Sequence, residues 1–177
     1  LDPVNKRPHY LFVFILCLIL LGAALFFQLV VGLEPCPLCI LQRLAMMALG
    51  LVALLAFLHN PSGFGDKVYG LLLVLGGLFS AGIAVRQVWL LSLPPEEAAS
   101  CGPGLEVWLD RFITYFPQGS VTEVLLRSGA SCTDVAWSIF GLSLPQLTSP
   151  VFVLLAFYLM WLFFRRNNNH IGEFSMR

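Results

Sequence analysis

Two cysteines in this sequence are spaced as a redox pair. Cys36 and Cys39 enclose Pro37 and Leu38, and they lie where one long apolar segment ends and the next begins. A disulfide between cysteines this close in sequence closes so small a ring that it stabilises a fold very little. Tight pairs of this kind are typical of thiols that exchange electrons, one of which ionises easily. The spacing therefore predicts a redox-active dithiol rather than a structural disulfide.

Arg43 follows Cys39 by four residues, inside a segment that is otherwise almost entirely apolar. On a helix this spacing places both residues on one face, about 6 Å apart along the axis. A guanidinium there can stabilise a thiolate and can donate hydrogen bonds to a carbonyl oxygen. The alternative is an arginine that extends from near a helix end to the membrane interface. Ionisable groups within spans are usually functional. We therefore expect the dithiol, with Arg43 beside it, to pass electrons to an acceptor dissolved in lipid.

The composition indicates a membrane protein. Of the 177 residues, 58% are hydrophobic and 11% are charged, whereas a soluble domain has about 25% charged residues. The formal net charge is zero, which argues against nucleic acid as a partner. Crossing a bilayer takes roughly 20 apolar residues, and the sequence predicts a single domain, residues 1–177, with four such spans. The predicted spans are residues 10–33, 40–58, 68–91 and 147–164.

The charges between the spans predict how the bundle is oriented. Basic residues lie before the first span, in the loop of residues 59–67 and in the tail of residues 165–177. The loop of residues 92–146 instead contains six acidic and two basic residues. Cytoplasmic segments carry an excess of lysine and arginine. We therefore expect both termini in the cytoplasm, and residues 34–39 and 92–146 outside it.

The predicted topology places four of the five cysteines on the outer side. They are Cys36, Cys39, Cys101 and Cys132, whereas Cys17 lies within the first apolar run. Outside a bacterial inner membrane the environment permits disulfides, and an even number fits two pairs. For Cys101 and Cys132 alone, a structural disulfide is an equally good interpretation. Cys17 is predicted to be an inert, buried thiol.

A zinc site is the main alternative for a cluster of cysteines. Thirty residues separate Cys101 from Cys132, so the second pair lacks the usual spacing of zinc ligands. All three histidines, His9, His59 and His170, fall on the predicted inner side. The sequence therefore predicts no metal site.

One segment of the long outer loop has the pattern of an amphipathic helix. Apolar residues recur at helical spacing, while charged residues occupy the other face. The apolar residues are Leu105, Trp108, Leu109, Phe112 and Phe116, and the charged ones are Glu106, Asp110 and Arg111. This pattern predicts a short helix that lies in the interface and contacts membrane lipid.

The same features occur together in a known family. They are the Pro-Cys-Pro-Leu-Cys-Ile-Leu-Gln-Arg run of residues 35–43, the Arg-Gln-Val-Trp run of residues 86–89, Cys101, and the stretch from Cys132 to Gln146. With them the chain resembles the DsbB disulfide bond formation proteins, four-helix inner-membrane thiol:quinone oxidoreductases. The resemblance covers nearly the whole chain, and it implies a bacterial inner-membrane location with periplasmic redox loops.

The resemblance implies an electron relay. A reduced periplasmic oxidase of the DsbA type, with a thioredoxin fold, would form a mixed disulfide with Cys101. Cys132 would then exchange with Cys36, which frees Cys39 as a thiolate beside a quinone. Arg43 would bind and activate that quinone, either ubiquinone or menaquinone, drawn from the membrane pool.

Two further residues near the end of the third span are candidates for quinone binding. Family members often have histidine at the position of Gln87. Glutamine can hydrogen-bond a quinone carbonyl but cannot deliver a proton near neutral pH. The position of Arg86 fits two interpretations equally: a residue that lines the quinone site, or an arginine that extends to the membrane interface near Trp89.

Two other functions remain open from the sequence. A relative of vitamin K epoxide reductase would also relay electrons between loop cysteines and a quinone, although there the Cys-x-x-Cys pair typically follows the other cysteines. A non-enzymatic membrane protein with two structural disulfides would bind no quinone and would be insensitive to loss of Arg43.

Overall fold

Four long helices form most of the chain that the computed structural model describes, which is residues 6–32, 34–93, 111, 114–115, 138–139 and 142–175. The helices are α1 (Arg7–Leu29), α2 (Pro37–His59), α3 (Phe64–Leu91) and α4 (Leu144–Ser175). Each is long and apolar enough to cross a membrane, α4 through its segment Gln146–Arg165. The predicted all-α architecture with four membrane-spanning helices is therefore confirmed.

All four helices extend beyond the apolar runs that predict them, and α2 does so at both ends, since it covers Pro37–His59 rather than 40–58. α1 begins at Arg7 and α3 at Phe64, a few residues before those runs, and α4 continues to Ser175. A helix satisfies its own backbone hydrogen bonds, so it can continue through polar residues at a membrane surface. No proline follows Pro150 to end α4, and proline is the residue that most strongly breaks a helix.

The helices pack in chain order, α1 against α2, α2 against α3, and α3 against α4. At the end of the bundle that holds the start of α1, the Tyr10 hydroxyl donates to Asp66 at 2.7 Å, and Lys6 pairs with the same carboxylate at 2.9 Å. The outer surface is apolar, with Ile19 and Leu75 among its exposed side chains. A core joins all four helices and consists of Tyr10, Val13, Cys17, Leu49, Ala53, Ala56, Leu73, Leu155 and Leu159.

Gly77 allows α3 and α4 to approach closely. A Cβ atom at residue 77 would lie 2.9 Å from Leu159 Cδ1 and 3.5 Å from the Cα of Ala156, whereas at Gly82 it would meet nothing described within 4 Å. We expect Gly77→Leu to lower the free energy of unfolding by about 1–3 kcal/mol, because the larger side chain must displace α4. Gly82→Leu is the matched control, and unfolding in mixed detergent micelles measures both. Equal stability of the two variants would contradict the prediction.

Only parts of the long loop before α4 are described. Two short strands, β1 (Ser138–Ile139) and β2 (Leu142–Ser143), pair antiparallel immediately before α4. Of the predicted interfacial helix, Arg111, Thr114 and Tyr115 are described, and all three are helical and exposed. The remainder of that helix lies outside the described residues, so the interfacial helix stays a prediction.

Candidate functional site

The sulfur atoms of Cys36 and Cys39 lie 2.8 Å apart. Cys36 is 6% exposed, and Cys39 is partly buried. A disulfide requires a sulfur–sulfur distance of about 2.05 Å, so oxidation of this dithiol by an electron acceptor would need only a small movement of the two sulfurs. The structure thus brings together the two cysteines that the sequence predicts to be a redox pair.

The start of α2 determines this arrangement. Cys36 has an extended backbone (φ −79°, ψ 164°) and caps the helix, since its sulfur accepts a hydrogen bond from the backbone N–H of Cys39 at 3.3 Å. Pro37 occupies the first helical position, where its missing N–H is no loss. Gly32 has a φ of +74° in the segment that leads from α1 to Cys36, a conformation that glycine adopts without strain. Cys39 therefore lies in the first turn, where the helix dipole favours an anion.

Gln87 contacts both sulfurs from α3. Its Nε2 atom donates to Cys39 Sγ at 3.1 Å and to Cys36 Sγ at 3.4 Å, and the side chain is 6% exposed. The sequence predicts a residue that binds quinone at this position. The structure directs the Gln87 amide to the cysteines, where it can stabilise negative charge on sulfur, and quinone binding by Gln87 stays a prediction.

Arg43 is buried, with 6% of its surface exposed, and its guanidinium points toward α1. Nη1 donates to Oε1 of Gln28, and Nη2 donates to the carbonyl oxygen of Ala24 at 3.3 Å. The positive charge also interacts electrostatically with Cys39 and, more weakly, with Cys36. These contacts favour a place in the site over an arginine that extends to the interface.

The reduced pair has an unequal affinity for protons. A shared hydrogen bond with Cys39 raises the pKa of the Cys36 thiol above its usual range, and burial acts in the same direction. Backbone N–H groups of Cys39 and Leu38 oppose this increase only in part. This increase favours the protonated form of the Cys36 thiol.

Among the other predicted site residues, Arg86 is the one that the structure describes. Arg86 is on the exposed side of α3, whereas the neighbouring Gln87 is on the buried side, a position that favours contact with the interface. Cys101 and Cys132 lie outside the described residues, so their pairing and catalytic role stay predictions. Cys17 is a free thiol, 4% exposed, in the core formed with α2.

Two glutamines near the site were given no role from the sequence. Gln28 is the partner of Arg43, and Gln42 precedes Arg43 in α2 with 8% of its surface exposed. Neither Oε1 nor Nε2 of Gln42 has a hydrogen-bond partner among the described residues. The sequence does contain a signal for Gln28, which is the only amide or charged side chain in residues 10–33. Because polar side chains within spans usually face other helices, this isolation indicates that Gln28 contacts another helix.

Comparison with known proteins identifies similar chains. A family model described as Disulfide bond formation protein DsbB matches residues 6–162. Several similar proteins are named Disulfide bond formation protein B. The one from Marinobacter nauticus is 43% identical to this chain over 163 residues, which cover 92% of this chain and 95% of the relative. The relative from Nitrosococcus oceani is 45% identical over 148 residues, covering 84% and 85%. The relative from Azoarcus sp. is 42% identical over 164 residues, covering 93% and 96%.

Proposed function

This chain belongs to the DsbB family of disulfide bond formation proteins, and we propose that it passes electrons from a reduced periplasmic protein of the DsbA type to a membrane quinone. The observation that carries the proposal is the Cys36–Cys39 pair at the start of a membrane helix, with buried Arg43 one turn further along it. The family match favours this relay over one of the vitamin K epoxide reductase kind and over a non-enzymatic protein.

The relay moves two electrons through two cysteine pairs. A thiolate of the reduced partner attacks Cys101 in a Cys101–Cys132 disulfide, and the released Cys132 thiolate attacks Cys36, which frees Cys39. The partner's second thiolate then resolves the mixed disulfide and releases Cys101. Cys101 attacks Cys132, which re-forms their disulfide and releases Cys36. The partner leaves with a disulfide, and Cys36 and Cys39 are reduced, by ordinary thiol–disulfide exchange.

The residues around Cys39 fit a bound quinone. Such a group, ubiquinone or menaquinone, supplies an acceptor for two electrons and two protons. Gln42 and Arg43 lie one helical turn from Cys39, on either side of it. The buried amide of Gln42 has no hydrogen-bond partner among the described residues, which carries a cost in free energy, and a carbonyl oxygen would satisfy its N–H group. Arg43 would hold a second carbonyl contact and stabilise negative charge there.

Three side chains around the cysteine pair have distinct roles in the proposed reaction. Cys39 is the nucleophilic sulfur, Cys36 retains its proton until it is oxidised, and Gln87 stabilises the thiolate through Nε2. An amide neither gives nor takes a proton near neutral pH. Because glutamine stands where family members often have histidine, a proton that such a histidine would deliver to a bound quinone would here come from the oxidised thiols, directly or through water.

The same proposal includes the location and orientation of the protein. Basic residues at both termini and acidic residues in the long loop support a bacterial inner-membrane protein with cytoplasmic termini. Both cysteine pairs then face the periplasm, where a soluble DsbA-type partner can reach them and where disulfides persist.

Loss of the Gln87 amide is expected to slow the reactions of Cys39. In a Cys36→Ser background, Gln87→Leu should lower the alkylation rate of Cys39 near neutral pH by about tenfold, because a hydrogen bond to a charged group is lost. Gln87→His retains an N–H donor and should hold the rate within about threefold of that background. If Gln87→Leu left the alkylation rate of Cys39 equal to that of the Cys36→Ser protein, this role of Gln87 would be contradicted.

Oxidation of the partner tests the proposed function. The protein in detergent is mixed with a quinone and an excess of a reduced DsbA-type protein, without oxygen, and the partner's free thiols are counted over time. The parent should oxidise many equivalents of partner, whereas Cys36→Ser should oxidise at most one, through its Cys101–Cys132 disulfide. Loss of thiols that continues without added quinone would contradict quinone as the acceptor.

A further inference from the structure

Helix α1 offers two neighbouring acceptors to the guanidinium of Arg43. Gln28 accepts from Nη1 through Oε1, and Ala24 accepts from Nη2 through its carbonyl oxygen at 3.3 Å. Residues 24 and 28 are four apart, so they lie on one face of α1. Both contacts are near the end of α1, which finishes at Leu29. Arg43 is therefore held from outside its own helix.

The two contacts restrict the plane of the guanidinium. Arginine carries five N–H donors in a rigid planar fork, and donors on both terminal nitrogens are committed to α1. An ammonium group would not be oriented in this way, since its donors rotate freely about one bond. With one contact removed, the long side chain could turn about the other. Two fixed contacts therefore determine where the remaining donors of Arg43 point.

The position of Gln28 in the sequence is otherwise unfavourable. It is the only amide or charged side chain among residues 10–33, and a polar side chain in hydrocarbon is stable only when it is hydrogen-bonded. Leucine or methionine would be better accommodated if α1 only anchored the bundle. The amide is explained by its contact with Arg43.

We propose that Gln28 is a positioning residue for quinone binding. Its amide oxygen fixes the Arg43 guanidinium so that the donors not committed to α1 remain available, in one orientation, to a quinone carbonyl. The inference rests on the proposed function, because it assigns Arg43 to the quinone. It extends the site to α1, a helix with no cysteine at this end of the bundle.

The test is a double-mutant cycle with Gln28→Met, which keeps the length of the side chain but removes the acceptor. In the parent background this change should raise the KM for a short-chain quinone by about tenfold, because a hydrogen bond to a charged group is lost. In an Arg43→Ala background it should change that KM by less than about twofold, since the residue through which it acts is gone. Reduction of the Cys36–Cys39 disulfide by the partner, measured in a single turnover without quinone, should stay at the parent rate.

The outcomes separate this inference from the function on which it rests. A parent that reduces no quinone, or an Arg43→Ala variant with an unchanged quinone KM, contradicts the proposed function. A normal Arg43→Ala effect with no effect of Gln28→Met contradicts the role of Gln28, and so does an equal effect of Gln28→Met in both backgrounds. If Gln28→Met does not fold, Gln28→Glu replaces it. This variant keeps an acceptor and should hold the KM within about threefold, and a tenfold increase would overturn the inference.

Discussion

Replacement of Cys39 by serine is expected to lower the turnover of disulfide formation by about 10³-fold or more. In the proposed relay the Cys39 sulfur is the nucleophile, and removing a catalytic nucleophile typically costs at least this much. Serine cannot form the disulfide with Cys36, whose sulfur lies 2.8 Å from that of Cys39. The measurement is the initial rate of partner oxidation in detergent with saturating quinone.

Cys17→Ser is the matched control for this substitution. Cys17 is buried in the membrane core, where its Cβ lies 3.3 Å from the position that a Cβ at Gly50 would occupy. The same chemical change there should leave the rate within about twofold, because Cys17 acts only in packing. A Cys39→Ser variant with more than a tenth of the parent rate would show that electrons take another route.

Replacement of Arg43 by alanine is expected to lower kcat/KM for quinone by about 10²-fold, the typical effect of removing one donor that stabilises developing negative charge. The guanidinium is 6% exposed and interacts electrostatically with both sulfurs. A buried charge in a membrane helix is costly, and ionisable groups at such positions are usually functional. Quinone reduction at varied quinone concentration gives the value.

Two control variants sharpen the test of Arg43. Arg43→Lys keeps the charge but cannot contact Gln28 and Ala24 through two separate nitrogens, so its kcat/KM should be intermediate. Arg86→Ala removes an exposed arginine from α3 and should change kcat/KM by less than about threefold. Equal losses in Arg43→Ala and Arg86→Ala would contradict a specific role of Arg43.

Much of the bundle could be predicted because apolar length alone determines a membrane span. Each of the four runs approaches or exceeds the roughly 20 residues that cross a bilayer, and each corresponds to a helix. The position of Cys36 and Cys39 at the start of α2 also follows from the sequence, since Pro37 favours the first turn of a helix. These features could be predicted because they depend only on residues that are close together in the sequence.

The contacts that complete the site depend on how the helices are rotated and aligned. Residues 11–27 are apolar on all sides, so the sequence indicates that Gln28 faces another helix but does not indicate that its partner is Arg43. Gln87 reaches the sulfurs only because α2 and α3 pack in one register, across 48 residues of sequence from Cys39. Close approaches such as Gly50 against Cys17 help set these rotations. They involve distant residues that no local pattern connects.

The most direct test of the account is to count quinone molecules reduced against partner disulfides formed. Quinone absorbance is followed in detergent, without oxygen, after a reduced DsbA-type protein is added to the parent protein and to Cys36→Ser. The account predicts that the parent consumes one quinone for each partner disulfide and that Cys36→Ser consumes none. Partner disulfides formed without loss of either ubiquinone or menaquinone would contradict electron transfer from the Cys36–Cys39 pair to a quinone.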